Sequence, residues 1–255
     1  MSNVPAATRT LDILQVLARA GAPLPATSIA KRLSIPRSST YHLLKAMQKS
    51  DFVIHFPEDE RWGLGVAAFE LGSAYLRHDP LERLARPILS KLVHGVEEII
   101  PAVAQLGILQ GGEVLYLARE LPRRPVTIVT DVGVRLPAQL TASGRSMLCL
   151  LPTSQVRAVS ASAWTNRTGL GPKSLKELNL LLAEERKNGF SHEEGFITDG
   201  YSSLSVAVTN HLELPVAALA MTFRTEESNQ EKRKKIIEAL RVGAKELSRR
   251  LGSHQ

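Results

Sequence analysis

Cysteine occurs once in the chain, at Cys149, so no disulfide can form within it. No stretch approaches the roughly 18 consecutive apolar residues that a membrane-spanning helix needs. The opening residues, Met-Ser-Asn-Val-Pro-Ala-Ala-Thr-Arg, lack the basic segment and apolar core of a secretory signal. These absences agree on a cytoplasmic protein with no membrane partner. Catalytic signatures are missing too: there is no G-x-S-x-G, no P-loop, no H-E-x-x-H and no G-x-G-x-x-G. Gly63-Leu64-Gly65 and Gly169-Leu170-Gly171 read as turn glycines and carry no cofactor argument. The seven histidines are scattered, and His192 with Cys149 lacks metal-ligand spacing. Cys149 is expected in the core rather than as a nucleophile. Neither a metal nor a cofactor is expected, and the expected class is not an enzyme.

The most informative absence is local. Along Pro36-Arg37-Ser38-Ser39-Thr40-Tyr41-His42-Leu43-Leu44-Lys45-Ala46-Met47, the positions Thr40, Leu43, Leu44 and Met47 fall on one face of a helix. Pro36 suits its first turn, where a missing N–H costs nothing. Turned away are Arg37, Ser38, Ser39, Tyr41, His42 and Lys45, all hydrogen-bond donors and none acidic. A solvated helix usually mixes both signs of charge.

What is present around this stretch sharpens the reading. At 255 residues, 44% hydrophobic and 22% charged, the chain has the composition of an ordinary soluble globular protein with one large or two modest domains. Its formal net charge of +7 favours an anionic partner without saying which. A helix is predicted from Thr8 to Ala20, with Leu11, Leu14, Leu17 and Ala18 on its stripe, and a second from Ala26 to Leu33. The break Ser34-Ile35-Pro36 turns into the acid-free helix, which makes a helix-turn-helix. Phe52-Val53-Ile54-His55 and Arg61-Trp62-Gly63-Leu64-Gly65 then read as a hairpin wing. Its tip, Glu58-Asp59-Glu60, is acidic, which leaves Arg61 as its good phosphate contact.

From Val66 to Arg77 a linker helix is expected, with Phe69, Ala74 and Tyr75 offered either to a second copy of the chain or to its own domain. Asp79-Pro80 marks the boundary. Beyond it a helix from Leu81 to about Ile100 precedes a hairpin, Ala102 to Leu109 with Val114 to Ala118. Val126 to Val129 is a short strand, Gly133 to Pro137 an irregular approach, and Ser143 to Leu151 a helix. Ser174 with Glu177 is a capping box for a helix ending at Gly189. Strands follow at Tyr201 to Thr209 and Val216 to Phe223, and a box at Ser228 and Glu231 opens the last helix. Hairpins mixed with helices point to an α+β sensor-like domain.

Two segments suggest a ligand. The amides of Thr141-Ala142-Ser143-Gly144 could approach an anion, or the hydroxyls could simply cap the helix. Ser203 and Ser205 share one side of their strand and could line a polar spot, or could be solvated on an edge.

Arg9-Thr10-Leu11-Asp12-Ile13-Leu14, Ile35-Pro36-Arg37-Ser38-Ser39-Thr40-Tyr41-His42-Leu43-Leu44, Trp62-Gly63-Leu64-Gly65, Arg135-Leu136-Pro137, Thr141-Ala142-Ser143-Gly144-Arg145-Ser146 and Gly189…Ser203-Leu204-Ser205…Val208-Thr209-Asn210 come in this order. In this order the chain resembles the IclR family of bacterial transcriptional regulators over almost its whole length. The resemblance implies a winged helix-turn-helix over 1–65, a linker helix over 66–79 and a GAF-like effector-binding domain over 80–255. It implies a homodimer or homotetramer on palindromic double-stranded operator DNA, and a small, acidic organic effector. By position the effector pocket would fall on Ile128, Leu136, Ala142, Ser143, Glu193, Tyr201 and Ser203. The family pattern has Asp or Ser at the position of Glu193, Glu at that of Phe196, and often Gly-Lys where this chain has Gly144-Arg145. These departures should change pocket volume and polarity, and the metal sites of the family are not supported here. The expected function is a ligand-responsive DNA-binding regulator, with Arg37, Ser38, Tyr41 and His42 toward base edges and Ser39, Lys45 and Arg61 toward phosphate. Two rivals are a catalytic or metabolite-binding domain with a protein-adaptor wing, and a winged domain that binds protein instead of DNA.

Overall fold

The computed structural model describes residues 4–78, 80–124, 131–159, 164 and 167–253. The chain divides into two compact units, Met1–Asp79 and Pro80–Gln255.

In the first unit, α1 (Pro5–Ala18) places Pro5 in its opening turn and buries Ile13 and Leu17. Leu11, expected on the buried stripe, is 60% exposed. Two residues along a helix are about 200° around it, so a stripe centred on Ile13 turns Leu11 to solvent. α2 (Ala26–Leu33) stops at Ser34, whose φ of 53° is left-handed. α3 (Arg37–Lys49) buries Thr40, Leu44 and Met47, the face read from the spacing. β1 (Leu24–Pro25), β2 (Val53–Phe56) and β3 (Arg61–Leu64) form an antiparallel sheet in the order β1-β3-β2. Trp62 on β3 is fully buried in the core with Ile13, Ile29, Leu44 and Val53. Helix α4 (Val66–His78) follows.

The second unit is built on a six-stranded antiparallel sheet ordered β6-β5-β4-β9-β8-β7. Its strands are β4 (Val103–Gln110), β5 (Glu113–Glu120), β6 (Arg135–Pro137), β7 (Ser191–Glu194), β8 (Tyr201–Thr209) and β9 (Pro215–Arg224). Period-two alternation divides β9 between two cores. Ala217, Leu219, Met221 and Phe223 pack on α5 (Pro80–Val96) and α9 (Gln230–Arg250). Ala218 packs instead with Met147 of α6 (Ala142–Leu148), Val156 of α7 (Thr153–Val159) and Leu178 and Leu182 of α8 (Leu175–Asn188). The α+β architecture is therefore two helical layers around one sheet.

Local chemistry accounts for several element ends. Ser174 caps α8 by accepting from the Glu177 N–H at 3.2 Å, and Glu177 accepts from the Lys173 N–H at 2.8 Å. Gly189, at φ 70°, ends it. The cap of α9 differs from the sequence reading. Asn229 accepts from the Lys232 N–H, while the Ser228 hydroxyl turns back to the Thr225 carbonyl. Residues 135–137, read as irregular, form β6 because β5 offers a free edge to them. The helix expected over Ser143 to Leu151 runs from Ala142 to Leu148. The strand expected at Val126 to Val129 lies outside the described residues.

Candidate nucleic-acid interface and ligand pocket

Helix α3 starts at Arg37 after Pro36, with no side chain capping it, and carries no acid in its first turn. The first N–H groups of a helix have no partner inside it, so they and the helix dipole face outward with partial positive charge. Arg37, Ser38, Tyr41, His42 and Lys45 are exposed and Ser39 is half-buried. Tyr41 meets the Trp62 ring edge-on at 6.5 Å, and the Lys45 ammonium lies 5.6 Å from the same ring. The buried tryptophan thus steadies two exposed donors. Arg61 donates to the Pro23 carbonyl at 3.2 Å, which holds the wing against the turn before α2. A hollow between the starts of α2 and α3 is lined by Thr27, Ser28, Lys31 and Arg37. Helix α2 also begins without a side-chain cap, after Pro25. Sequence reasoning passed over Thr27, Ser28 and Lys31, whose signal was two hydroxyls in an uncapped first turn followed by a cation.

In the second unit, Leu136, Ala142, Ser143, Glu193, Tyr201 and Ser203 line one pocket of about 440 Å³, mouth included. Ile128, the seventh expected residue, lies outside the described residues. The pocket also takes in Gln105, Tyr116, Thr141, Ile197 and Thr222.

The strand register builds its floor. Glu193 pairs with Ser203 and Ser203 with Thr222, so three polar side chains stand in a row across β7, β8 and β9. The Ser203 and Thr222 hydroxyls are 2.9 Å apart, and Thr222 donates to Gln105 Oε1 at 3.1 Å. From β5 of the same sheet, Tyr116 brings its hydroxyl to 3.4 Å from that of Ser143 on α6. Burial pushes the Tyr116 phenol up to about 12, against the pull of Ser143, so it stays protonated and able to donate. Thr141 caps α6 by accepting from the Gly144 N–H at 3.0 Å, so that amide is not open to an anion. Gly144 is required here, since a Cβ would fall 2.2 Å from the Ala138 carbonyl oxygen.

Glu193 is buried, and burial raises its carboxyl above the usual range. The Ile197 amide, the Ser203 hydroxyl, the Arg145 charge and the Phe196 amide pull the other way. Its Oε1 accepts from the Phe196 and Ile197 N–H groups at 2.8 and 3.1 Å. The two arginines nearest to it in the motifs, Arg135 and Arg145, are engaged elsewhere. Arg135 donates to Gln110 Oε1 at 2.6 Å. Arg145, fully buried, donates through Nε to both Glu185 oxygens at 3.0 and 3.2 Å, and through its other nitrogens to the Gln139 and His192 carbonyls. Glu185 is completed by the Ser191 hydroxyl and the His192 N–H. A lysine at 145 has one nitrogen and could not span these acceptors. Phe196 lies over the Arg145 guanidinium at 5.2 Å, outside the pocket lining, so its effect is on that arginine and not on pocket polarity. Ser205 also falls outside the lining. It donates to the Leu219 carbonyl at 2.9 Å and faces Ser146 at 3.2 Å.

Among the described residues no group of three or more histidine, cysteine, aspartate or glutamate side chains could hold a metal ion. No helix there is long and apolar enough to cross a membrane. Burial raises the Cys149 thiol to about 12, an unreactive state.

Two family models match the chain. One, described as the C-terminal domain of bacterial transcriptional regulator IclR, spans residues 73–249, and the other, the IclR helix-turn-helix domain, spans 6–54. The HTH-type transcriptional repressor AllR of Salmonella typhimurium is 26% identical over 247 residues, covering 96% of this chain and 89% of that one. The transcriptional repressor IclR of Escherichia coli K12 is 26% identical over 226 residues, covering 86% and 80%. An IclR regulator from Alicyclobacillus acidocaldarius superposes with a TM-score of 0.85 at 24% identity, covering 98% of this chain and all of that one. An IclR homologue from Microbacterium hydrocarbonoxydans, complexed with 4-hydroxybenzoate, superposes at 0.78 and 21% identity over 96% and 98%.

Proposed function

The chain belongs to the IclR family and is a DNA-binding transcriptional regulator with an effector-binding domain, and from that premise we propose which residues do each job. Arg37, Ser38, Tyr41 and His42 read base edges in the major groove, while Ser39, Lys45 and Arg61 hold phosphates. The hollow lined by Thr27, Ser28 and Lys31 takes a further phosphate, at two uncapped helix starts. The observation that carries this reading is the exposed, acid-free face of α3 with its free N-terminus. The protein acts as a homodimer or homotetramer on a palindromic operator, because half-sites about one turn apart need two reading heads. It works in the cytoplasm and by binding alone, without turnover.

The effector we propose is a small organic acid bearing a hydroxyl. The carrying observation is the polar row Glu193, Ser203 and Thr222, extended diagonally by Gln105, in one pocket with the Tyr116 and Ser143 hydroxyls. Two unscreened carboxylates a few ångströms apart repel by several kcal/mol at intermediate dielectric, on the order that abolishes weak binding. Glu193 therefore faces the ligand's hydroxyl end, and Tyr116 and Ser143 its carboxylate. The 4-hydroxybenzoate bound by the Microbacterium hydrocarbonoxydans homologue is an acid of this class. Thermal shift against paired hydroxylated and deoxy acids tests the proposal. A hydroxylated acid that stabilises the protein more than its deoxy partner supports it. Equal shifts throughout would remove the role of Glu193.

A further inference from the structure

A second, larger cavity of about 1180 Å³, its open mouth included, lies among α6, α8, β8 and α9. It exists because β7 is short. β7 pairs with β8 only from Ser202 to Ser205, so the sheet edge is left uncovered from Val206 to Thr209.

Phe190, Val206 and Leu150 give it an apolar lining, and Arg186, Arg241 and Lys245 stand around it. Both arginines are held in place by a helix end. Arg186 Nε donates to the Cys149 carbonyl at 2.7 Å, and Arg241 Nη2 donates to the Asn188 carbonyl at 2.8 Å. Each leaves its remaining N–H groups for another acceptor. Arg241 also lies over the Phe190 ring at 6.0 Å, so charge and apolar surface adjoin. Among the described residues neither lining carboxylate pairs with these cations: Glu185 pairs with buried Arg145, and Glu213 accepts from the Ser253 hydroxyl at 3.0 Å, so one carboxylate charge stands against three cations. Ser248 accepts from the Thr209 N–H at 3.0 Å, and its own proton has no acceptor among the described residues. The cavity thus offers held cationic donors beside an apolar surface, the chemistry that binds an amphipathic carboxylate.

We propose that this cavity is a second small-molecule site, taking an amphipathic carboxylate whose apolar body lies on Phe190, Val206 and Leu150 and whose charge is met by Arg186, Arg241 and Lys245. It is separate from the effector pocket but shares α6 and β7 with it. Ser146 and Ser191 line this cavity, whereas Ser143 and Glu193 line the other. The proposal does not depend on what the effector pocket binds.

The test is calorimetric titration of the full-length protein with octanoate at millimolar concentration. The expected result is saturable binding that Arg186→Gln with Arg241→Gln weakens about tenfold, the value of one charge-assisted hydrogen bond. Octanol, with the same chain and no charge, should bind at least about tenfold more weakly than octanoate. Glu193→Gln should leave octanoate affinity unchanged. Because the arginines also hold helix ends, Lys245→Gln serves as the variant that cannot disturb the fold through them, and it should weaken octanoate too. Absence of saturable binding, equal binding of octanol, or a loss that follows Glu193→Gln and not the three cations would each overturn the proposal.

Discussion

At the scale of single residues, α3 is proposed to make two kinds of contact. Arg37 stands at the start of the helix, where a guanidinium can form paired hydrogen bonds to a base edge. Arg37→Ala should weaken specific binding by about 1–3 kcal/mol and relax the preference at one base pair per half-site. Lys45 lies two turns further on, beside Trp62. Lys45→Ala should weaken all sequences alike and reduce the salt slope by about one. Competition titrations on specific and random duplex, at several salt concentrations and with unchanged melting temperatures, decide between these roles. Equal losses on both duplexes for both variants would return Arg37 to phosphate binding. Glu193 gives a prediction of a different kind. Its carboxyl is raised by burial, so its favourable contribution is complete below the unfolded carboxylate range and falls as pH rises through the folded value. Glu193→Gln should therefore gain melting temperature relative to wild type as pH rises above the ordinary carboxylate range. A difference that does not change with pH would mean that the carboxyl binds its proton equally well in the folded and unfolded protein.

At the scale of elements, the buried Arg145 and Glu185 pair locks α6 to α8 and β7. Removing one partner leaves a buried charge uncompensated, which costs about 3–5 kcal/mol. Glu185→Ala should show that loss in denaturant unfolding. Arg145→Met with Glu185→Leu should recover part of it, since no lone charge remains. Equal destabilisation by the single and double variants would show that the neighbouring hydrogen bonds, not the charges, carry the energy. Elements were legible where their chemistry is local. Ser174 and Gly189 bracket α8 through bonds within a few residues, and the Thr40, Leu43, Leu44, Met47 spacing is that of the face α3 turns inward. Residues 135–137 were not legible as a strand, because their order comes from the edge of β5 and not from their own pattern. Gln105 and Thr222 were missed for a related reason. Each is a polar residue inside an otherwise apolar run, and only the sheet register brings residues 193, 203 and 222 into one row, with Gln105, opposite Ala220 on the next strand, reached diagonally from Thr222. Ser203 and Ser205 looked equivalent, but burial behind α6 commits Ser205 to Ser146 and Leu219.

At the scale of the whole molecule, the account requires two reading heads and a response to a ligand. Helix α4 exposes Val66, Phe69 and Leu71, with Phe69 at 74% exposure, and half-buries Ala74. The side chain of Tyr75, named with them from the sequence, lies outside the described residues. Phe69→Glu should lower the sedimentation coefficient at micromolar concentration and weaken operator binding, because a charge would interrupt the apolar surface proposed as the protomer contact. A variant that still sediments as wild type would move the protomer contact elsewhere. The most direct test of the central claim is fluorescence anisotropy of a duplex from the promoter beside its own gene, titrated with protein in the presence of paired hydroxylated and deoxy acids. The account predicts that wild type binds this duplex more tightly than random DNA and that a hydroxylated acid shifts its affinity more than the deoxy partner does. Glu193→Gln should bind the duplex as wild type does and lose that discrimination. Binding indifferent to sequence, or a Glu193→Gln response that matches wild type for both acids, would contradict it.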